Sequence, residues 1–334
     1  MAEQDDFLEQ VTAIARRHGV DPGQVHEVAG GVANRAFVLG EHLFLRACRP
    51  GYEDDLLKET HVVPAARTVG VLTPAIIEYD DTRRLIDSPY AVMERVHGTE
   101  PTELPTGLAE QLARLHHLEL PSGAHAATGA DEVEISGVPE DDWGDPWRTV
   151  EDLADRGYID PGTATWLTGW FTRLTERIDG SGPKVLIHGD VAAHNLLAGP
   201  ANDLRALIDW GDAAWAPRAM EFAKLPLTQV AELLRDYLRH THSQDTPSPD
   251  ASPPDASSPR ASSPRASSPR ASSVEAEHEL AAAVLWFHLS WALAKLPAAP
   301  WPGQRHWTAP TTSRLLGLLQ FFTSTPPAPW SDLA

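Results

Sequence analysis

Apolar residues recur at helical spacing in Phe7, Leu8, Val11, Ile14 and Ala15 before Gly19, which predicts a short amphipathic helix at the N-terminus. The period then changes. Residues 25–28, 36–39 and 42–47 are short runs rich in β-branched and aromatic side chains, separated by turn signals at Gly30-Gly31 and Gly40-Glu41, and they read as an antiparallel meander. Residues 54–69 return to a helical pattern that Pro64 is expected to kink or split. Two further strands are expected at 73–79 and 85–93, closing at Gly98.

Beyond Gly98 the pattern is mainly helical. Leu108, Leu112, Leu115 and Leu118 mark one amphipathic helix, and residues 164–178, with Trp166, Leu167, Trp170, Phe171 and Leu174, mark another. Short apolar strands are expected at 184–187 and 204–208, and helices at 221–239, 275–296 and 313–322. The fold class is therefore α+β in two lobes. Residues 1–97 form a small antiparallel sheet with one main helix, and 98–334 form a mainly helical lobe. Within the second lobe Ala-Ser-Ser-Pro-Arg occurs in tandem from Ala256 to Arg270. Ser, Pro and Ala dominate 243–273, which is too poor in apolar area to offset an ordering entropy of ~1–2 kcal/mol per residue, so a disordered surface insertion is expected there.

Composition narrows the class of partner. Asp and Glu number 47 against 27 Lys and Arg, a net charge of −20, which excludes unspecific attraction to nucleic acid or an anionic membrane and favours a cationic ligand. Acidic residues concentrate between Asp131 and Asp155, where the alternative is a solvated acidic face. The acidic start Met1-Ala2-Glu3-Gln4-Asp5-Asp6 is unlike a secretory signal, and the lone Cys48 suits a reducing compartment, so a cytoplasmic location is expected. The apolar run 280–296 is broken by His288, Ser290 and Lys295 and reads as a buried helix, not a membrane span. Nothing in the sequence bears on oligomeric state.

The densest chemistry lies in Val185-Leu186-Ile187-His188-Gly189-Asp190-Val191-Ala192-Ala193-His194-Asn195, followed by Ile208-Asp209-Trp210-Gly211. An apolar strand delivers Asp190 to a loop, Asn195 follows on the same loop, and a hairpin brings Asp209 beside both. Phosphoryl transfer needs such a set. One carboxylate orients the acceptor hydroxyl and takes its proton, while an amide oxygen and a second carboxylate hold Mg²⁺ against nucleotide phosphates. His188, Asp190 and His194 alternatively suggest a hydrolase-type Zn²⁺ or Fe²⁺ cluster, but no second His/Asp cluster supports it and Asn195 is left without a role.

These residues resemble the aminoglycoside phosphotransferase family, the antibiotic-kinase branch of the protein-kinase-like fold, whose signature is H-G-D-x-x-x-x-N followed by an I-D-W/F segment. The resemblance implies Asp190 as catalytic base, Asn195 and Asp209 as Mg²⁺ ligands, and His188 as a brace for the catalytic loop. Gly30-Gly31-Val32-Ala33-Asn34 resembles the family's nucleotide loop, in which Gly30, Gly31 and Asn34 would approach the phosphates. Arg46 stands where a phosphate-contacting Lys is expected, with Glu59 as its ion-pair partner. Residues 89–98 resemble the family's hinge, where backbone groups of Glu94 and Val96 would meet the adenine edge. The segment Ala216-Pro217-Arg218-Ala219-Met220-Glu221 departs from the family's G-D-P-x-x-D, since Glu221 replaces an Asp.

The expected activity is ATP- and Mg²⁺-dependent O-phosphorylation of a small-molecule acceptor, a cationic hydroxylated antibiotic, with nucleotide between the lobes. A metabolic kinase for a choline-like, sugar or amino-alcohol acceptor would share every residue named. A nucleotide-binding scaffold without turnover is the reading outside catalysis.

Overall fold

A computed structural model describes residues 2–28, 31–120, 135, 137–244, 273–298 and 328–332. The first helix, α1 (Ala2–Arg17), precedes a five-stranded antiparallel sheet built from β1 (Val25–Val28), β2 (Asn34–Leu39), β3 (Leu43–Cys48), β4 (Ile76–Asp80) and β5 (Tyr90–Glu94), in the order β1-β2-β3-β5-β4. Helix α2 (Glu53–Thr68) connects β3 to β4. The pleat decides what each face carries. Leu45 and Ala47 of β3 join Val11 and Ile14 of α1 in one core, while Cys48, with Phe44 packed against it, meets Leu56 of α2 on the opposite side. Arg46 therefore points to the α2 face of the sheet.

Two expectations for this lobe are corrected. Of the kink or split expected at Pro64, the split is absent, since α2 runs through it; Pro64 is exposed, and buried Val62, Val63, Ala65 and Ala66 hold the turns on either side against the core. The strand expected at 85–93 begins only at Tyr90, because the preceding segment ends in Pro89, although Ile86 is still buried with the α1 core.

The second lobe holds α3 (Leu108–Leu115), α4 (Pro146–Asp155), α5 (Pro161–Thr175), α6 (Leu227–Gln244) and α7 (Ser273–Ala294). Helices α4 and α5 both start on an Asp cap followed by Pro: Asp145 accepts from the Arg148 N–H and Asp160 from the Gly162 and Thr163 N–H groups. Between α5 and α6, β6 (Val185–Ile187) pairs with β9 (Ala214–Ala216), and β7 (Leu196–Ala198) forms a hairpin with β8 (Leu204–Leu207). Helix α7 is apolar around its girth and is buried through Leu280, Val284, Leu285 and Phe287. No described helix is long and apolar enough to cross a membrane.

The helix expected from 221 begins at Leu227. Residues Arg218–Phe222 form a 3-10 turn instead, and Pro226 stands just ahead of α6, where a missing N–H is tolerated. Residues 243–244 and 273, expected to be disordered, are helical ends of α6 and α7; the rest of that expected insertion, and the helix expected at 313–322, lie outside the described residues.

Candidate active site

Three buried residues of β6, Val185, Leu186 and Ile187, set the start of the loop His188-Gly189-Asp190. Gly189 has φ +79°, and a Cβ there would lie 2.2 Å from the Asp212 carbonyl oxygen, so only glycine lets the two loops approach this closely. His188 is fully buried. Its Nε2 donates to the Ile208 carbonyl at 3.0 Å, and its Nδ1 accepts the Asp190 N–H at 3.3 Å. The ring packs on Trp210, whose indole N–H donates to Thr73 Oγ1 at 3.0 Å and pins the turn after Asp209 to the first lobe. His188 thus lies beneath the loop, with no atom on the open cleft.

The loop has a second brace. The backbone N–H groups of His188 and Gly189 donate to the two carboxylate oxygens of buried Glu221, at 2.6 and 3.0 Å. Burial opposes ionisation of Glu221, but His116 and the loop donors outweigh it and hold the carboxyl below its usual range. Burial lowers His116 below its usual value. Its Nδ1 meets the Tyr237 hydroxyl of α6 at 2.9 Å and its Nε2 faces Glu221 at 3.5 Å.

Asp190 is gripped from both sides. The Asn195 amide donates to its Oδ2 at 2.8 Å and to its backbone carbonyl at 2.9 Å. Lys224 Nζ donates to its Oδ1 at 2.8 Å, and His194 Nε2 stands 3.4 Å from Oδ2. Burial works against the carboxylate, yet the His194 contact and the Lys224 charge prevail and keep Asp190 well below the ordinary carboxylate range. Both amide hydrogens of Asn195 are used on Asp190, so what this residue has left for a ligand is its carbonyl oxygen.

Asp209 follows β8 in the left-handed region, φ 68°, a conformation that costs a non-glycine residue about 1–3 kcal/mol and is held here by its surroundings. Its Oδ1 accepts from Arg46 Nη2 at 2.6 Å, while Arg46 Nη1 donates to both oxygens of Glu59 at 2.8 and 2.6 Å. Glu59 is 2% exposed and the Arg46 side chain 11%. Burial opposes the Arg46 charge, and the two carboxylates outweigh it.

These groups border a cleft of about 550 Å³ between the sheet and the second lobe, a size suited to a small ligand. Arg46, Glu59, Asn195 and Asp209 line it together with Gly31 and Asn34, and the segment Met93 to Gly98 closes one end. Gly30 lies outside the described residues. The Asn34 side chain is buried, and its Oδ1 has no hydrogen-bond partner within the protein. In the segment 93–98 the Glu94 N–H is taken by the Ala75 carbonyl and the Arg95 N–H by that of His42, so the Glu94 backbone has its carbonyl to offer. Asp190 is not on the cleft wall itself; it stands behind Asn195, toward Lys224 and Asp212.

Among the described residues no group of three or more His, Cys, Asp or Glu side chains is arranged to hold a metal. That argues against the hydrolase-type cluster, as do the two ring nitrogens of His188, both engaged within the protein. The Asn195 carbonyl oxygen and the Asp209 carboxylate, both on the cleft, are the groups that could hold Mg²⁺. Sequence reasoning missed Lys224. It stands alone after Phe222-Ala223, with no spacing or neighbour that marks it.

A model of the phosphotransferase enzyme family matches residues 24–251. Among solved structures, the GDP complex of wild-type aminoglycoside 2'-phosphotransferase-IIIa is similar over 94% of this chain and 97% of its own, with a TM-score of 0.58 at 17% identity. The apoenzyme of macrolide 2'-phosphotransferase MphH from Brachybacterium faecium is similar over 86% of this chain and 90% of its own, with a TM-score of 0.54 at 16% identity. At such identities the likeness is one of fold. No curated protein matches the chain.

Proposed function

The chain belongs to the phosphotransferase enzyme family, and we propose that it transfers the γ-phosphate of ATP to a hydroxyl of a small-molecule antibiotic, with Asp190 as the base. The observation that carries this reading is the placement of Arg46, Asn195 and Asp209 on one cleft with the Asp190 carboxylate directly behind Asn195.

In this reading the nucleotide base lies against the segment 93–98, at the Glu94 carbonyl and the Val96 N–H, where the lobes divide at 97/98. The phosphates run toward Gly31 and Asn34, whose backbone and amide groups suit anionic oxygens. Arg46, held flat by Glu59, presents its other nitrogen to Asp209 and the phosphate path. Mg²⁺, held by Asn195 and Asp209, neutralises charge on the phosphates when bound. Asp190 orients the acceptor hydroxyl and takes its proton as the oxygen–phosphorus bond forms. With little covalent work for the protein to do, orientation matters more than base strength, and a carboxylate held ionised suits that. His188 acts through hydrogen bonds, keeping Asp190 in place.

The acceptor reading draws support from the solved structures of like fold, which include an aminoglycoside and a macrolide phosphotransferase. A cationic acceptor draws support from the net charge of −20. The described part of the acidic stretch supports it less, since Glu140 pairs with Lys184 and Asp145 caps α4. A cytoplasmic setting fits the buried Cys48, whose thiol burial pushes up to about 11 and makes unreactive.

The test is a panel of aminoglycoside, macrolide and nucleoside antibiotics incubated with Mg·ATP and, separately, Mg·GTP, read by mass spectrometry. A gain of one phosphate on at least one compound is expected. No gain on any, with phosphorylation of a choline-like, sugar or amino-alcohol acceptor instead, would replace the antibiotic by a metabolic substrate.

A further inference from the structure

We propose that Lys224 is a positioning residue for phosphoryl transfer: it holds the Asp190 carboxylate in place and puts a cation beside the acceptor oxygen. The inference rests on the reading of Asp190 as the base. Lys224 lies just past the 3-10 turn Arg218–Phe222, whose Glu221 already braces the backbone of the same loop. Its Nζ spans two carboxylates, 2.8 Å from Asp190 Oδ1 and 3.3 Å from Asp212 Oδ2. The Asp190 side chain turns about two bonds beyond a glycine hinge, and Asn195 fixes only Oδ2. Lys224 fixes the other oxygen and with it the plane of the group.

The choice of a cation matters for the step itself. As the acceptor O–H bond breaks, its proton passes to Asp190 and the acceptor oxygen bonds to phosphorus. The bond from phosphorus to the bridging oxygen breaks, and its electron pair leaves with the nucleoside diphosphate. Protonation neutralises Asp190 and releases Lys224 from that ion pair. The ammonium, still 3.3 Å from Asp212 Oδ2, then stands beside the acceptor oxygen held at Asp190. An uncharged side chain of the same length would leave that charge unmet.

The experiment measures Mg·ATP hydrolysis with water as acceptor in the wild type and in Lys224→Met, Lys224→Arg, Asp190→Ala and Lys224→Met/Asp190→Ala proteins. A fluorescent ADP analogue reports nucleotide affinity, and thermal melting reports folding. Expected for Lys224→Met is a fall in kcat of about 10–100-fold, the range a displaced catalytic group produces, with KM for Mg·ATP and ADP affinity within about twofold of wild type. Lys224→Arg should recover most of kcat. In the Asp190→Ala background the Met substitution should cost much less than it does in the wild type, because its main effect runs through Asp190. An unchanged kcat in Lys224→Met, or a further full loss in the double variant, would overturn the proposal. Wild-type turnover in Asp190→Ala would instead overturn the base assignment beneath it.

Discussion

The Arg46 guanidinium meets the Asp209 carboxylate at 2.6 Å across a separation of 163 positions, joining β3 of the sheet to the loop that follows β8. Because the other guanidinium nitrogen is committed to Glu59, the contact ties α2, the sheet and the second lobe through one side chain.

Glu59→Ala should therefore be strongly destabilising. Removing one partner of a buried pair leaves the Arg46 charge to Asp209 alone, and a loss of up to about 3–5 kcal/mol is expected. Urea denaturation of the variant, compared with Glu59→Gln, measures it; a loss under about 1 kcal/mol would mean that Asp209 alone satisfies Arg46.

Asp209→Asn keeps the shape of the site and removes a charge. Half-maximal activity should need at least about tenfold more Mg²⁺, a difference of about 1.4 kcal/mol. Titration of Mg²⁺ at saturating nucleotide decides it, and an unchanged midpoint would take Asp209 out of the ion's coordination.

Gly189→Ala tests the close approach of the two loops. The added Cβ would meet the backbone carbonyl of Asp212, which cannot swing aside as a side chain can, in a region of φ that costs alanine about 1–2 kcal/mol by itself. Stability should fall by about 2 kcal/mol or more, and kcat should fall with it, as seen in thermal melts and steady-state assays. Wild-type behaviour in both would show that the loops are not held at this distance.

The brace beneath the loop predicts an acid-sensitive fold. His116 and Glu221 both titrate lower in the folded protein than their ordinary values of 6.5 and 4.5, so the unfolded chain binds more protons in acid. The stability they contribute is complete above about pH 6.5 and is lost as pH falls, first through the His116 window and then through that of Glu221. Unfolding free energies measured from pH 8 to pH 4 should decline on the acid side, and less steeply for Glu221→Gln. A flat wild-type profile over that range would contradict the assignment.

The sheet was legible because alternation along β2 and β3 has one solution once α1 covers a face, and the loop residues from His188 to Asn195 were legible because their spacing is local. What escaped was set by distant partners. Pro64 looks like a helix breaker in isolation, yet the buried residues flanking it keep α2 whole. Glu221 looks like part of a helix, but it lies in a 3-10 turn and its carboxylate is taken by two backbone donors over thirty positions away. Lys224 meets Asp190 only through the tertiary fold, so no periodicity or motif could announce it.

The most direct test of the account is Asp190→Ala assayed in a single turnover at saturating Mg·ATP, with nucleotide affinity measured on the same preparation. Because Asp190 is held behind the cleft wall, nucleotide binding should survive while ADP formation falls by about 10²–10⁴-fold, the range for loss of a positioned base. Full ADP release by the variant would contradict the account at its centre.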